Sequence, residues 1–162
     1  MLAQIGRRLN RHVGPRLFAF GMNLWPPLFF SGIKIESISA DWHHIRVSLA
    51  LRWYNRNYVG TQFGGALYMM TDPFFMLMFM RLLGRDYIVW DRSANINFIA
   101  PGYSKVWVDF HVNESDISQV KSEVLEHGKT HWHRTVSILD SDQKLIAKVD
   151  KVIYVRRKDA QR

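Results

Sequence analysis

The chain has no cysteine among its 162 residues, which removes disulfides, thiol nucleophiles and cysteine-based zinc sites together while leaving the redox compartment open. It has no internal repeat of 20–50 residues and no low-complexity block, so solenoid and array architectures are excluded. Zinc-finger, homeodomain and basic-zipper patterns are also missing, which leaves nucleic-acid binding with charge alone behind it. No apolar run continues for the roughly 20 uninterrupted residues that a bilayer span needs. The run Leu17–Phe30 is broken by Pro26-Pro27, and the longer one, Gly64–Leu83, by Asp72 and Pro73. A secretory signal fits poorly, because no small-residue cleavage site follows the first apolar stretch. These gaps predict a cytoplasmic protein without a membrane span, a metal or a cofactor.

What is present describes a well-packed domain. A hydrophobic content of 48% with 14% aromatics is enough for one sizeable core, so residues 1–162 are read as a single domain. The formal charge of +8 gathers at the two ends, as Arg7, Arg8, Arg11 and Arg16, and as Arg156, Arg157, Lys158 and Arg162. Basic ends are ordinarily solvated tails, and they serve equally to hold anionic lipid or a coenzyme with several phosphates. Residues 1–30 are predicted to form an amphipathic helical segment packed on the domain, and 156–162 a basic tail.

Between them the hydrophobic pattern alternates. Residues 33–39 and 45–52 read as two strands, the second with Ile45, Val47, Leu49 and Leu51 on one face and Arg46, Ser48, Ala50 and Arg52 on the other. Ala94, Ile96 and Phe98, then Val106, Val108, Phe110 and Val112, give two more. Asn113–Gly128 reads as a loop or a short irregular helix. Residues 132–139 and 145–155 flank a turn at Asp140-Ser-Asp-Gln143 and form a hairpin. Gly64–Leu83 is apolar on every side, which describes a helix wrapped by protein. The order predicts an α+β fold, with one antiparallel sheet of five to six strands curled around a central helix.

Asp72 is the only acid in that central segment. A carboxylate withdrawn from water needs a hydrogen bond or a partner. One reading makes it the N-cap of a helix restarted by Thr71-Asp72-Pro73. The other makes it a general base or nucleophile facing a cleft. Gly64 and Gly65, where a loop becomes a helix, carry unpaired N–H groups able to stabilise an oxyanion; close packing against a neighbouring element accounts for them as well. His131 and His133 share a strand face with no third metal ligand to join them.

Asn57, Phe63-Gly64-Gly65 and Asp72 hold a spacing that resembles the hotdog superfamily of acyl-CoA thioesterases and dehydratases, over residues 33–155. In the small phenylacetyl-CoA type, an Asn lies six residues before a His-Gly-Gly, and an Asp nine residues after that His. The Gln62-Phe63-Gly64-Gly65 and Asp72-Pro73-Phe74 segments are most similar to a hotdog branch carried as a domain of unknown function. The resemblance implies a hotdog fold with an extra N-terminal helix and hydrolysis of a medium or long acyl thioester. Asp72 would act as base or nucleophile, the Gly64 amide would bind the thioester oxygen, and Asn57 would orient the carbonyl or the water. Phe63 stands where the family has its histidine, so an imidazole contribution is missing. Asp72 and Gly64 lie about two helical turns apart, too far to act on one carbonyl unless two subunits supply them. A homodimer or a dimer of dimers, with acyl-CoA or an acyl-carrier thioester as partner, is therefore implied. Tyr68, Met69, Phe74 and Met78 would surround the acyl chain, although ordinary core packing accounts for each of them as well; Phe63 and Gly65 would also be substrate-binding, and Arg156 and Arg157 would hold coenzyme A phosphates. Two alternatives stay open: a non-catalytic acyl-CoA or fatty-acyl binding module, favoured by Phe63, and a basic lipid- or nucleic-acid-binding interaction protein.

Overall fold

A computed structural model describes residues 13–158, and within them the alternating segments of the sequence become one sheet. Its strands are β1 (Ile33–Ile38), β2 (His44–Leu49), β3 (Tyr87–Phe98), β4 (Val106–His111), β5 (Lys129–Asp140) and β6 (Leu145–Arg157). They lie in the order β1-β2-β4-β5-β6-β3 and pair antiparallel throughout. β5 and β6 form the expected hairpin, with Val136 opposite Val149, and β6 then carries β3 along most of its length. β4 and β5 pair only at Val106–Asp140 and Trp107–Leu139, so the sheet splays between them. β1 and β3 are its edges. The strands run further than alternation alone indicates: β3 begins at Tyr87, seven residues before the Ala94, Ile96 and Phe98 alternation.

Two short helices come first, α1 (Pro15–Asn23) and α2 (Pro26–Ser31), each opened by a proline at its start, where the missing N–H costs nothing. α1 is fastened to the edge strand by Asn23, whose Nδ2 donates to the Ile35 carbonyl at 3.0 Å while its Oδ1 accepts the Ile35 N–H at 2.7 Å. Phe18 meets Trp42 edge-on at 5.0 Å. Arg7, Arg8, Arg11 and Arg162 lie outside the described residues.

The central apolar segment is two helices, α3 (Gly64–Met69) and α4 (Phe74–Leu83), with residues 70–73 between them. Half of the 64–83 segment is buried, as suits a core element interrupted by Pro73. α4 buries Phe74, Phe75, Met78 and Phe79. Phe75 sits edge-on to Phe110 and Trp132, both at 5.0 Å, and Phe79 to Trp132 at 4.8 Å. These rings join the helix to the sheet by area and by favourable edge-to-face geometry.

The segment read as a loop or irregular helix is instead a regular helix, α5 (Glu114–His127). Asn113 caps the N–H of its third residue, and Asp116 returns the favour by accepting the Asn113 N–H at 2.8 Å. Ile117, Val120 and Val124 recur on its inner side at helical spacing and are buried.

Candidate active site

Along β6, residues Ala147, Val149, Lys151, Ile153 and Val155 are all buried and share one face of the strand. A lysine in that row has to be neutralised, since an unpaired ammonium away from water costs several kcal/mol. The Lys151 side chain is 0% exposed, and its Nζ lies 2.7 Å from Asp91 Oδ1 and 3.6 Å from Asp72 Oδ1. It also donates to the Asp72 main-chain oxygen at 3.1 Å. Asp91 reaches it because β3 carries a bulge between Asp91 and Ser93, which re-aims the side chains around Arg92. Burial raises the pKa of the Asp91 carboxyl; Lys151 opposes that shift without cancelling it, and the negative charge of Asp72 adds to it.

Asp72 therefore departs from two expectations, the helix cap and the carboxylate withdrawn from water. It is not a helix cap: the residue before α4 is Pro73, and no side chain caps that end. Nor is it withdrawn from water, since its side chain is 54% exposed. The break in the helix turns it outward, and Lys151 beneath holds both its main chain and its carboxylate. Tyr68, whose ring centroid is 6.0 Å from Lys151 Nζ, stands beside it.

At the other end of α3 lies a cleft of about 370 Å³, lined by Asn57, Gln62, Gly64, Leu67, Phe98 and Gly102 among others. Gly64 is the first residue of the helix, and a Cβ there would come within 3.0 Å of the Phe98 ring. Gly65 is held as closely by Phe63. Close packing thus accounts for both glycines, while the Gly64 and Gly65 N–H groups precede the first intrahelical bonds, which Ala66 and Leu67 donate to the Phe63 carbonyl at 2.9 and 3.0 Å. Asn57 organises its own loop: Oδ1 accepts the N–H groups of Val59 (3.1 Å) and Thr61 (2.9 Å), and Nδ2 donates to Thr61 Oγ1 at 2.8 Å. Gln62 is buried, donates from Nε2 to the Leu49 and Ser104 carbonyls, and leaves Oε1 without a partner. Phe63 is 55% exposed at the head of α3.

The residues named from the sequence thus fall into two groups at opposite ends of α3. Asn57, Phe63, Gly64 and Gly65 stand at one end, and Asp72 with Tyr68 and Met69 at the other. Tyr68 and Met69 are partly exposed, whereas Phe74 and Met78 are closed in the core. Arg156 and Arg157 are at the far end of β6, roughly 17 to 20 Å along the strand from Lys151. Arg156 occupies the strand face opposite Lys151. Among the described residues, His44, Asp109 and His111 are the group able to hold a metal, with ligand atoms within 4.8 Å of one another. The two imidazoles are stacked 4.4 Å apart at 7°, which keeps their in-plane lone pairs in separate, nearly parallel planes, and His44 Nε2 is already 2.7 Å from Asp109 Oδ1. As placed, the group is an Asp–His pair with a second ring stacked on it.

Residues 14–155 match the family model described as Domain of unknown function (DUF4442). The chain belongs to the DUF4442 family. A comparison with curated proteins finds no match. Among solved structures, this DUF4442 chain is similar to a protein of unknown function from Chlorobaculum tepidum, at 18% identity and a TM-score of 0.71 over 90% of this chain and 98% of that one. It is similar to a thioesterase from Haemophilus influenzae, at 14% identity and a TM-score of 0.65 over 91% and 94%. It is also similar to a thioesterase from Pseudomonas aeruginosa carrying a Gln-to-Ala substitution, at 12% identity and a TM-score of 0.63 over 86% and 92%. The fold of the DUF4442 chain is the hotdog fold, six antiparallel strands around a central helical segment. Lys151 is the residue that motif spacing missed. The sign of it was in the strand pattern, where one charge occupies an otherwise apolar alternate row from Ala147 to Val155.

Proposed function

We propose that this protein is a thioester hydrolase that cleaves a medium or long acyl-CoA-type thioester at a site completed by a second copy of the chain. The observation that carries the reading is Asp72: a carboxylate presented to solvent at a helix break and anchored from below by a fully buried lysine. Ordinary surface acids have no such support. The thioesterase names of two of the structural relatives agree with it.

In this reading Asp72 activates a water, or attacks the thioester carbon itself, and the Gly64 N–H receives the developing negative charge on the carbonyl oxygen. The two lie at opposite ends of α3, so each site takes Asp72 from one copy and Gly64 from the other. β3 offers the seam. It is a 12-residue edge strand with one side unpaired among the described residues, and edges of that length are normally covered. Asn57 would hold the loop that carries the Gly64 turn, and exposed Tyr68, Met69 and Phe63 would receive the acyl chain. Arg156 and Arg157 remain the basic pair suited to the coenzyme phosphates.

Thiol release from an acyl-CoA panel of increasing chain length tests the reading. Wild type should turn over with a preference for longer chains, and Asp72→Asn should lose at least about 100-fold in kcat while melting at a similar temperature. A wild type that binds acyl-CoA saturably without releasing thiol would support the second reading, a binding module. Phe63 in place of a histidine and the Asn57 amide engaged within its own loop are the observations that favour that alternative.

A further inference from the structure

Helices on the surface of a soluble domain ordinarily turn polar residues outward. α1 and α2 do the reverse. Among the exposed positions of residues 16–30 there is one charge, Arg16, and the large side chains are Leu17, Phe20, Leu24, Trp25, Phe29 and Phe30, each between 46% and 73% exposed. α1 buries no residue fully, and α2 only Leu28. Leu17, Phe20 and Leu24 recur at helical spacing, so they form one outward stripe that Trp25, Phe29 and Phe30 extend.

The loop after β2 joins this face. Asn55 donates to the Ser31 carbonyl at 3.1 Å and to that of Ala50 at 2.8 Å, which ties the loop to the end of α2. The junction is close: Gly32 has φ +77°, and a Cβ there would meet Asn55 Nδ2 at 2.6 Å, so only glycine fits. Trp53 and Tyr54 are brought beside the helices, flanked by Arg52 and Arg56.

Charge identifies what the face meets. The first acid of the sequence is Glu36; the residues before it include Arg7, Arg8, Arg11, Arg16 and Lys34, and residues 50–63 add two arginines and no acid. A second copy docking through the same patch would bring Arg16, Arg52 and Arg56 towards their own counterparts. An anionic lipid surface offers the opposite charge to the arginines and a hydrocarbon boundary to the leucines and phenylalanines. Tryptophan and tyrosine also favour that boundary.

We propose that α1, α2 and the 52–58 loop form a docking surface for anionic membranes, with the apolar side chains inserted at the headgroup boundary and the arginines against the lipid phosphates. The face leads toward the candidate site, since Ser31 Oγ lies 3.1 Å from Met69 Sδ, just ahead of Asp72. It stands apart from the thioesterase reading, because vesicles that contain no thioester test it.

The test is cosedimentation of the full chain with phosphatidylcholine vesicles made with and without phosphatidylglycerol. Wild type should bind the anionic vesicles at least about tenfold more tightly, and added salt should weaken the binding. The triple variant Phe20→Ser, Leu24→Ser, Phe30→Ser should lose that binding while keeping the wild-type melting temperature; Arg16→Ala should weaken it with the apolar face intact. Equal binding to both vesicles, or none, overturns the proposal. So does a wild-type oligomer that the triple variant dissociates without any vesicle binding, which would assign the face to a second copy. Binding to single-stranded RNA that the same variant abolishes, in the absence of vesicle binding, overturns it as well.

Discussion

At the scale of the residue, Lys151 decides the character of the candidate site. Its ammonium is enclosed, its nearest partner Asp91 is mostly buried, and its second partner Asp72 faces water. Removing one member of such a group leaves the others uncompensated, a larger effect than the net worth of the pair. Lys151→Met should therefore cost about 3 kcal/mol in urea unfolding. Adding Asp91→Asn should recover a substantial part of that loss, because the burial that raises the Asp91 pKa would then act on a neutral amide. A double variant as unstable as the sum of the two singles would show that the residues act independently. Asp72→Asn should cost far less in stability, being half exposed, and show its effect in turnover. Asp72 was legible as the lone acid of an apolar run, but its surroundings were not. Its partner Lys151 and that lysine's other acid, Asp91, lie 79 and 19 positions away on two strands, and the bulge that brings Asp91 to Lys151 leaves no mark in the alternation.

At the scale of the element, strand pairing carries its own electrostatics. Glu36 on β1 accepts from Ser48 Oγ on β2 at 2.7 Å, from Lys105 just before β4 at 2.6 Å, and from Lys34 at 2.7 Å. Burial alone would raise its pKa, but these three bonds outweigh burial and bring it from 4.5 to about 2. A carboxyl depressed on folding stabilises above its unfolded value and loses that contribution as pH falls through the folded one. Wild type should thus exceed Glu36→Gln by on the order of 1–2 kcal/mol at pH 6, allowing for solvent screening. The gap should narrow from about pH 4.5 towards pH 2 in urea midpoints followed by circular dichroism. A gap that does not change with pH would assign the difference to packing instead. Elements with a plain period of two were legible from the sequence, which is why all six strands and the β5–β6 hairpin were foreseen. α5 was not, because its start signal is Asn113 with Asp116 in place of the commoner Ser or Thr with Glu or Gln, and its apolar stripe of Ile117, Val120 and Val124 is narrow. The break between α3 and α4 was legible from Pro73, but the anchoring of Asp72 by Lys151, which comes from a distant strand, was not.

At the scale of the whole molecule, the two separated groups of site residues make dimerisation a question that kinetics can answer. If each site takes Asp72 from one copy and the Gly64 N–H from the other, two inactive variants should complement. Asp72→Asn removes the carboxylate. Gly64→Pro removes the donor while keeping the helix, because Gly64 is the first residue of α3, where proline is accepted, and Phe63 before it is extended at φ −70° and ψ 127° as a pre-proline residue should be. The ring would press on Phe98, whose exposed side chain has room to give. Refolded together in equal amounts, the variants form mixed dimers for half of the population, each with one intact site of two, so activity should return to about a quarter of wild type. Recovery at that level, with light scattering showing dimers, supports a shared site. Two variants that stay inactive in mixture, although each is folded and dimeric, would place both groups of each site in a single copy. The helix break would then have to move for them to meet, which would change the role assigned to Lys151 from a fixed anchor to one end of a hinge.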